Sequence, residues 1–456
     1  MKSDLRSLPA VDVLLKTEEI NGLIEKYGDL LTKNSIRDVL NGLRKNYRIT
    51  QTIPDSEEII GLINSDILTK TSSTLFPLIN ATGVVLHTNL GRSPLCLSAI
   101  QEMKKVAESY STLEFDIKSG KRGKREIHAE MILREITGAE AAYVVNNNAS
   151  AVLLILSAMA RRRKVVISRT QLVEIGGGFR IPEVMKQSGA KLIEVGTTNR
   201  VNLNDYQNSI SENPAMFLRA HHSNFKIIGF THEPEISEII QLAHRNEIPV
   251  VDDLGSGALV ATEKYGLGHE PTVQESISAG VDIVSFSGDK LIGGPQAGII
   301  VGKKKYIEKI RNHPFARAVR PDKICLAALS ATLFHYLRGD HEEQIPIWMM
   351  ISQSLEQIKK RAEEWKKRLD QGIVKKGESK IGGGSLPEDT LPTYLLALNI
   401  KRGERFLSRI RELDPPIIAR IEKGEVLFDP RTVFPEQDDL FINNLAEVLE
   451  NGKEVN

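Results

Sequence analysis

The chain has 456 residues, enough for about three units at roughly 150 residues each, and its 41% hydrophobic and 26% charged content excludes disorder throughout. With 60 basic against 59 acidic residues the net charge is +1, so no global field draws the protein to a polyanion, and any such site must be a local patch. Two cysteines, Cys96 and Cys325, exclude a disulfide framework and a cysteine zinc site, and they fit a reducing compartment.

The first fifteen residues carry Asp4 and Asp12 among their apolar positions and have no signal-peptide core. The longest apolar stretch, Ala149 to Ala160, contains two serines and is far shorter than the ~20 residues a spanning helix needs. A soluble, cytoplasmic protein with no membrane segment is expected. Residues 1–75 read as a small helical module. Leu14, Leu15, Ile20, Leu23 and Ile24 recur at helical spacing, Asn34-Ser35 predicts the start of a second helix through Leu40 and Leu43, and Pro54 to Glu58 the start of a third. Lys33, Arg37, Arg44, Lys45 and Arg48 cluster against a single acid, Asp38; on charge alone this is a solvated helix face.

From 76 to 325 short β-rich runs alternate with helical stretches. Strand candidates are 142–145, 164–167, 191–195, 216–218, 248–251, 282–286 and 297–301. Such alternation predicts an α/β fold, a mostly parallel sheet with helices on both faces, whose ligands bind at the carboxyl ends of the strands. Residues 326–456 open with a charged helix (Gln353 to Asp370), turn at Gly382-Gly383-Gly384, continue through strand-like pieces at 394–400, 417–421 and 425–428, and close with a helix near Asp438 to Glu450. This predicts a smaller α+β domain.

Three loops carry chemistry. In Val284 to Gln296, Lys290 follows a β-run and precedes Gly293-Gly294-Pro295, where backbone can approach a ligand closely. A lysine fixed at a strand end can form a Schiff base with a carbonyl cofactor, and Ser287 lies within reach of the same ligand's phosphate. The run Ile248 to Gly257 ends a buried-type strand in Asp252-Asp253, and a carboxylate there is what a pyridinium nitrogen needs. Alternation points only one of the two at the cofactor. In Gly138 to Ala151 a strand runs through three asparagines into an apolar helix, whose N-terminus at Asn148, Ala149 and Ser150 offers N–H groups to a phosphate. Together the three pieces specify a pyridoxal 5′-phosphate site. The run Gly176 to Arg180 lacks nucleotide-loop spacing. His221-His222 point to opposite faces of a strand, so no metal site is expected.

These segments, with Ile79 to Pro94, Val173 to Pro182 and Phe315 to Lys323, resemble the bacterial L-seryl-tRNA(Sec) selenium transferases (selenocysteine synthases), a family of fold-type-I pyridoxal-phosphate enzymes. The resemblance covers essentially the whole chain, including the N-terminal helices. It implies a large catalytic domain at 76–325, an N-terminal tRNA-binding domain at 1–75 and a C-terminal domain at 326–456. It further implies Lys290 as the Schiff-base lysine, Asp253 as the pyridinium partner, and Arg92, Arg317 and Arg320 as arginines of an anion pocket. The implied reaction converts seryl-tRNA(Sec) to selenocysteinyl-tRNA(Sec) with selenophosphate, through a dehydroalanyl-tRNA held on the cofactor. Lys33, Arg37, Arg44, Lys45 and Arg48 become the expected RNA contacts, with Lys118 to Arg125, Arg161 to Lys164 and Lys303 to Lys305 as further basic stretches. A homo-oligomer is implied, at least a dimer and by resemblance a ring of dimers. Gln171 and His222 depart from the family pattern, which places a glutamate and a threonine there. Two other readings stay open: a fold-type-I lyase acting on a small amino acid or amino sugar, for which the N-terminal helices are oligomerisation elements, and a non-catalytic RNA-binding relative. The N-terminal module argues against the first, and intact Lys290 and Asp253 against the second.

Overall fold

The structure is a computed structural model that describes residues 5–125, 127–175, 178–222 and 225–453. Its chain divides into two units, Met1–Pro77 and Leu78–Asn456. In the first, helices Glu18–Tyr27, Asp29–Thr50 and Ser56–Thr71 close around Leu14, Ile20, Ile36, Leu40, Ile59, Ile63 and Ile67. The last of these helices starts where the sequence places it, because Asp55 and Glu58 form a reciprocal capping box. The middle one begins earlier than Asn34-Ser35. Gly28, at φ 89°, turns the chain directly into it, and Ser35 is buried on its inner side rather than capping an end. Lys33, Arg37, Arg44 and Arg48, spaced four, seven and four apart, share one side of this helix beside its buried stripe. Asp38 is engaged by Lys70 at 2.7 Å, which leaves the cationic side without its nearest acid.

In the second unit, seven strands form one sheet: β1 (Ala141–Val145), β2 (Lys164–Ser168), β3 (Lys191–Val195), β4 (Met216–Ala220), β5 (Val250–Gly255), β6 (Ile283–Ser287) and β7 (Gly298–Gly302). All seven candidates from the sequence are present. Their spatial order is β1-β7-β6-β5-β4-β2-β3, with β7 antiparallel to both neighbours and every other pair parallel. Near-continuous Val/Ile/Leu runs suit such strands because helices cover both faces. Val144, Val250 and Val284 belong to one core, and Tyr143, Val251 and Ile283 to the other. In register, Ala220 of β4, Asp253 of β5 and Ser285 of β6 lie side by side at the carboxyl edge.

A second sheet runs, in spatial order, Arg420–Glu422, Glu425–Phe428, Thr390–Leu398, Ile373–Gly382 and Val84–Leu86. Ile79–Asn80 pairs with Ile417–Ile418. Chain from the start of the unit therefore completes the C-terminal sheet, and helix Lys323–Arg338 packs on Leu97–Ala107 and Ile127–Thr137 across residue 325. Gly383 and Gly384, at φ 65° and 71°, turn the chain at the end of Ile373–Gly382 and bring it to the edge of the main sheet's ligand cavity. Among the described residues, no helix is long and apolar enough to cross a membrane.

Candidate active site

At the carboxyl edge of β4, β5 and β6 lies a cavity of about 340 Å³. Lys290 reaches it from the turn after β6, Asp253 from β5, Ser287 from the end of β6 and Asn148 and Ala149 from the start of helix Asn148–Ala160. Lys290 is only 7% exposed. Burial first, then the Arg92 cation, pushes its ammonium below the ordinary lysine value, against the pull of Asp253, Asp289 and Glu270. The floor of the cavity thus disfavours the charged form of this amine. Gly255, at φ 65°, holds the turn beside it; a Cβ there would sit 3.8 Å from the Lys290 Nζ.

The two aspartates separate by strand alternation. Asp253 faces the cavity and accepts from Asn148 Nδ2 at 2.8 Å and Ser285 Oγ at 3.0 Å. Burial raises its pKa, and those two hydrogen bonds and Lys290 oppose the rise. Asp252 is turned away and accepts from Ser276 Oγ at 2.7 Å and Arg219 Nη1 at 3.2 Å. It does not line the cavity, so of the two cofactor-binding candidates the geometry keeps Asp253 and removes Asp252.

The helix-start cradle also differs from the expected one. Asn147 is the N-cap, and its side chain accepts from the Ser150 N–H at 2.8 Å. That N–H is therefore spent, and Ser150 faces away from this cavity. Asn148 and Ala149 carry the N–H groups at the first two helical positions, where an anion binds best. Gly298 is required here, because a Cβ at that position would collide with the Asn147 carbonyl.

Arg92 lines the cavity and donates from Nη1 to Asp289 Oδ2 at 2.5 Å, with φ 62°, a left-handed conformation that a side-chain-bearing residue adopts at a cost. Arg317 and Arg320 are not in the cavity lining of this chain. Arg317 is exposed at the end of the turn Pro314–Arg317. Arg320 Nη1 is 3.6 Å from Glu114, a carboxylate also held by Arg122 at 2.8 Å and Arg125 at 3.0 Å. The basic run 118–125 is in part neutralised by this acid, which the charge count of the run alone does not show.

Reading from sequence missed several cavity residues. Asp289 adjoins Lys290 and was legible only as part of that motif. Gln296 closes the Lys290 segment itself, whereas Thr88, Gly383 and Gly384 come from distant loops that only the fold assembles. His221 emerges from the end of β4 as a wall of the cavity, with its backbone N–H on Asp253 O at 3.0 Å. Gln171 is buried and accepts from the Ala220 N–H at 3.2 Å, so its neutral amide braces β4. His222 Nε2 lies 2.8 Å from Thr170 O; the strand ends at Ala220, and both histidines follow it in the loop. Residues 176 and 177 of the glycine run and residues 223 and 224 after His222 lie outside the described residues.

The His221 pKa falls to about 4, chiefly through burial and next through Arg219. With the folded value below the ordinary 6.5, the unfolded chain binds the extra proton first as pH drops, so stability is lost between about 6.5 and 4. Removing this site with His221→Gln is expected to spare the protein about 2–3 kcal/mol of that acid loss. Urea melts at pH 7 and pH 4.5 check it: the stability gap between variant and wild type must shift in the variant's favour at the lower pH. A gap independent of pH refutes a neutral His221.

The cavity's donor set fits pyridoxal phosphate on structural grounds: a buried amine of lowered pKa, a buried carboxylate aimed inward and a helix start for the phosphate. A family model described as L-seryl-tRNA selenium transferase matches residues 78–434, and one described as selenocysteine synthase N terminal matches residues 5–44. The L-seryl-tRNA(Sec) selenium transferase of Clostridium botulinum (strain Loch Maree / Type A3) is 46% identical, over 98% of this chain and 99% of that protein. Those of Alkaliphilus oremlandii and Carboxydothermus hydrogenoformans are 46% and 45% identical, over 97% and 95% of this chain and 98% and 96% of theirs. Among solved structures, D-glucosaminate-6-phosphate ammonia-lyase superposes with a TM-score of 0.59 at 19% identity, covering 88% of this chain and 99% of that one. At that identity the likeness is one of fold.

Proposed function

Because the chain belongs to the L-seryl-tRNA selenium transferase family, we propose that it converts the seryl group of L-seryl-tRNA(Sec) to a selenocysteinyl group at the Lys290 cavity. The observation that carries the reading is the buried Lys290–Asp253 pair, facing one cavity, in a chain 46% identical to such transferases over nearly its full length. Pyridoxal phosphate, when bound, supplies an electron sink that stabilises negative charge at the serine α-carbon. Lys290 would hold it through its amine, and the same amine is the base placed to take the α-proton. Asp253, oriented by Asn148 and Ser285, keeps a proton on the ring nitrogen. The N–H groups of Asn148 and Ala149, with Ser287, receive the phosphate. Water leaves the β-carbon as its C–O bond breaks. A C–Se bond then forms with selenium from selenophosphate, whose Se–P bond is hydrolysed to leave phosphate, so the water released is consumed.

Arg92 is the guanidinium that this chain supplies to the donor anion, steered by Asp289. Arg317 and Arg320 are proposed to join the anion site of a neighbouring copy, which makes the working form at least a dimer and fits the ring of dimers that the resemblance implies. Lys33, Arg37, Arg44, Lys45 and Arg48 are proposed to grip the tRNA. Residues 1–75, 76–325 and 326–456 then serve as RNA-binding, catalytic and C-terminal domains. The reaction is proposed to run in the cytoplasm, where charged tRNA is used. Incubation with seryl-tRNA(Sec) and selenophosphate, followed by analysis of the amino acid released from the tRNA, tests the whole reading. Selenocysteine is the expected product; tRNA that still carries only serine refutes it.

A further inference from the structure

Next to the Lys290 cavity lies a second one of about 600 Å³, and His221 lines both. Thr170, His222, Phe225, His232 and Glu270 contribute to its remaining wall. Nothing in the proposed reaction uses it so far. Two buried polar atoms on the shared side have no hydrogen bond of good geometry among the described residues: Glu270 Oε1, on a residue 2% exposed, and His221 Nδ1, although the Ser256 side chain and the Leu386 backbone act on the Glu270 carboxylate as a whole. An unsatisfied carboxyl oxygen at that depth costs on the order of 1–3 kcal/mol unless a ligand or water meets it. Glu270 Oε2 lies 3.9 Å from His221 Nε2, so the acid stands at the passage between the cavities. Farther out, the Phe225 and His222 rings meet edge to face with centroids 5.0 Å apart, and Phe225 is 36% exposed.

The substrate's own geometry says what must sit here. Only a carbonyl carbon and the α-carbon separate the ribose ester oxygen of an aminoacyl-tRNA from its amine. When that amine is at Lys290, the terminal nucleoside must occupy the adjoining space. Carboxylates accept ribose hydroxyls, and aromatic rings stack on bases. Three acids, Glu233, Glu270 and Asp389, against one lysine, Lys226, in the wall disfavour the alternative occupant, a free selenophosphate anion. We propose, resting on the transferase reading, that the second cavity receives the 3′-terminal adenosine of the aminoacyl-tRNA, its free ribose hydroxyl on Glu270 and its base against Phe225 and His222.

The test uses the full-length holoenzyme and a tRNA(Sec) ending in photoreactive 8-azidoadenosine. Irradiation is expected to label the tryptic peptides that carry Phe225 or His232; a label confined to other peptides overturns the assignment. Phe225→Ala, at a surface position, and Glu270→Gln are expected to raise KM for seryl-tRNA roughly 5- to 150-fold, the range spanned by one lost stacking or hydrogen-bond contact. Their cofactor absorbance should remain that of the wild type. An unchanged KM in both variants also overturns it. Wild-type protein that converts no seryl-tRNA defeats the transferase reading and this site with it, whereas conversion with the label elsewhere defeats the site alone.

Discussion

Lys290→Ala is expected to yield a colourless, folded protein whose turnover falls by at least roughly 10²–10⁴-fold, the share of rate that a positioned base alone supplies. Two jobs vanish together, since the same amine anchors the cofactor and takes the α-proton. Stability should not fall with them. Burial, followed by Arg92, already disfavours the Lys290 ammonium in the folded chain, so at neutral pH the unfolded state binds its proton more readily than the native state does. Deleting the amine removes that cost, and the cofactor-free variant should melt no lower than the cofactor-free wild type. Borohydride reduction of the yellow wild-type protein should fix the pyridoxyl group on Lys290. A pyridoxyl label on another lysine, or a variant that turns over at the wild-type rate, refutes the assignment.

What could be read from the sequence followed the physics of each element. The seven central strands were legible because two-sided burial leaves Val/Ile/Leu runs bounded by turn residues. Ile373–Gly382 was not, since three lysines and a glutamate interrupt it, and its place depends on pairing with Thr390–Leu398 and with Val84–Leu86. Of the site, Lys290 and the acidic pair were visible as strand-end chemistry. Which aspartate faces the ligand required Arg219 and Ser276, residues far away in sequence that claim Asp252. Asn147 and Asn148 both suit a helix start, and only the register of the first turn decides which one caps and which supports Asp253. Glu270 carries no local signal at all. A single acid in a Gly-His-Glu-Pro loop reads as solvated until the fold buries it beside His221.

Removal of residues 1–77 is expected to abolish productive tRNA binding while leaving the cofactor spectrum of the remaining protein intact. Each unit has its own core: that of Met1–Pro77 is built from its own leucines and isoleucines, and every residue lining the Lys290 cavity lies beyond Leu78. The cut must not pass Leu78, because Ile79–Asn80 pairs with Ile417–Ile418 and Val84–Leu86 edges the second sheet. On helix Asp29–Thr50, Arg37, Lys45 and Arg48 are exposed, Arg44 contacts only Asn41 at 2.8 Å among the described residues, and Lys33 shares Asp29 at 2.9 Å. An exposed pair of that kind is worth at most about 1 kcal/mol and yields readily to a phosphate. Each phosphate contact contributes about 0.7–0.9 to the slope of log K against log salt, so losing four or five of them should flatten the slope by about 3 to 4.5 units. Filter binding of tRNA(Sec) across a salt series, on the full-length and shortened proteins, measures it. Equal affinity and equal slope in the two would move the RNA grip to Lys118–Arg125 or Arg161–Lys164. In each of these an acid already neutralises part of the charge, Glu114 in the first and Glu212 on Lys164 in the second.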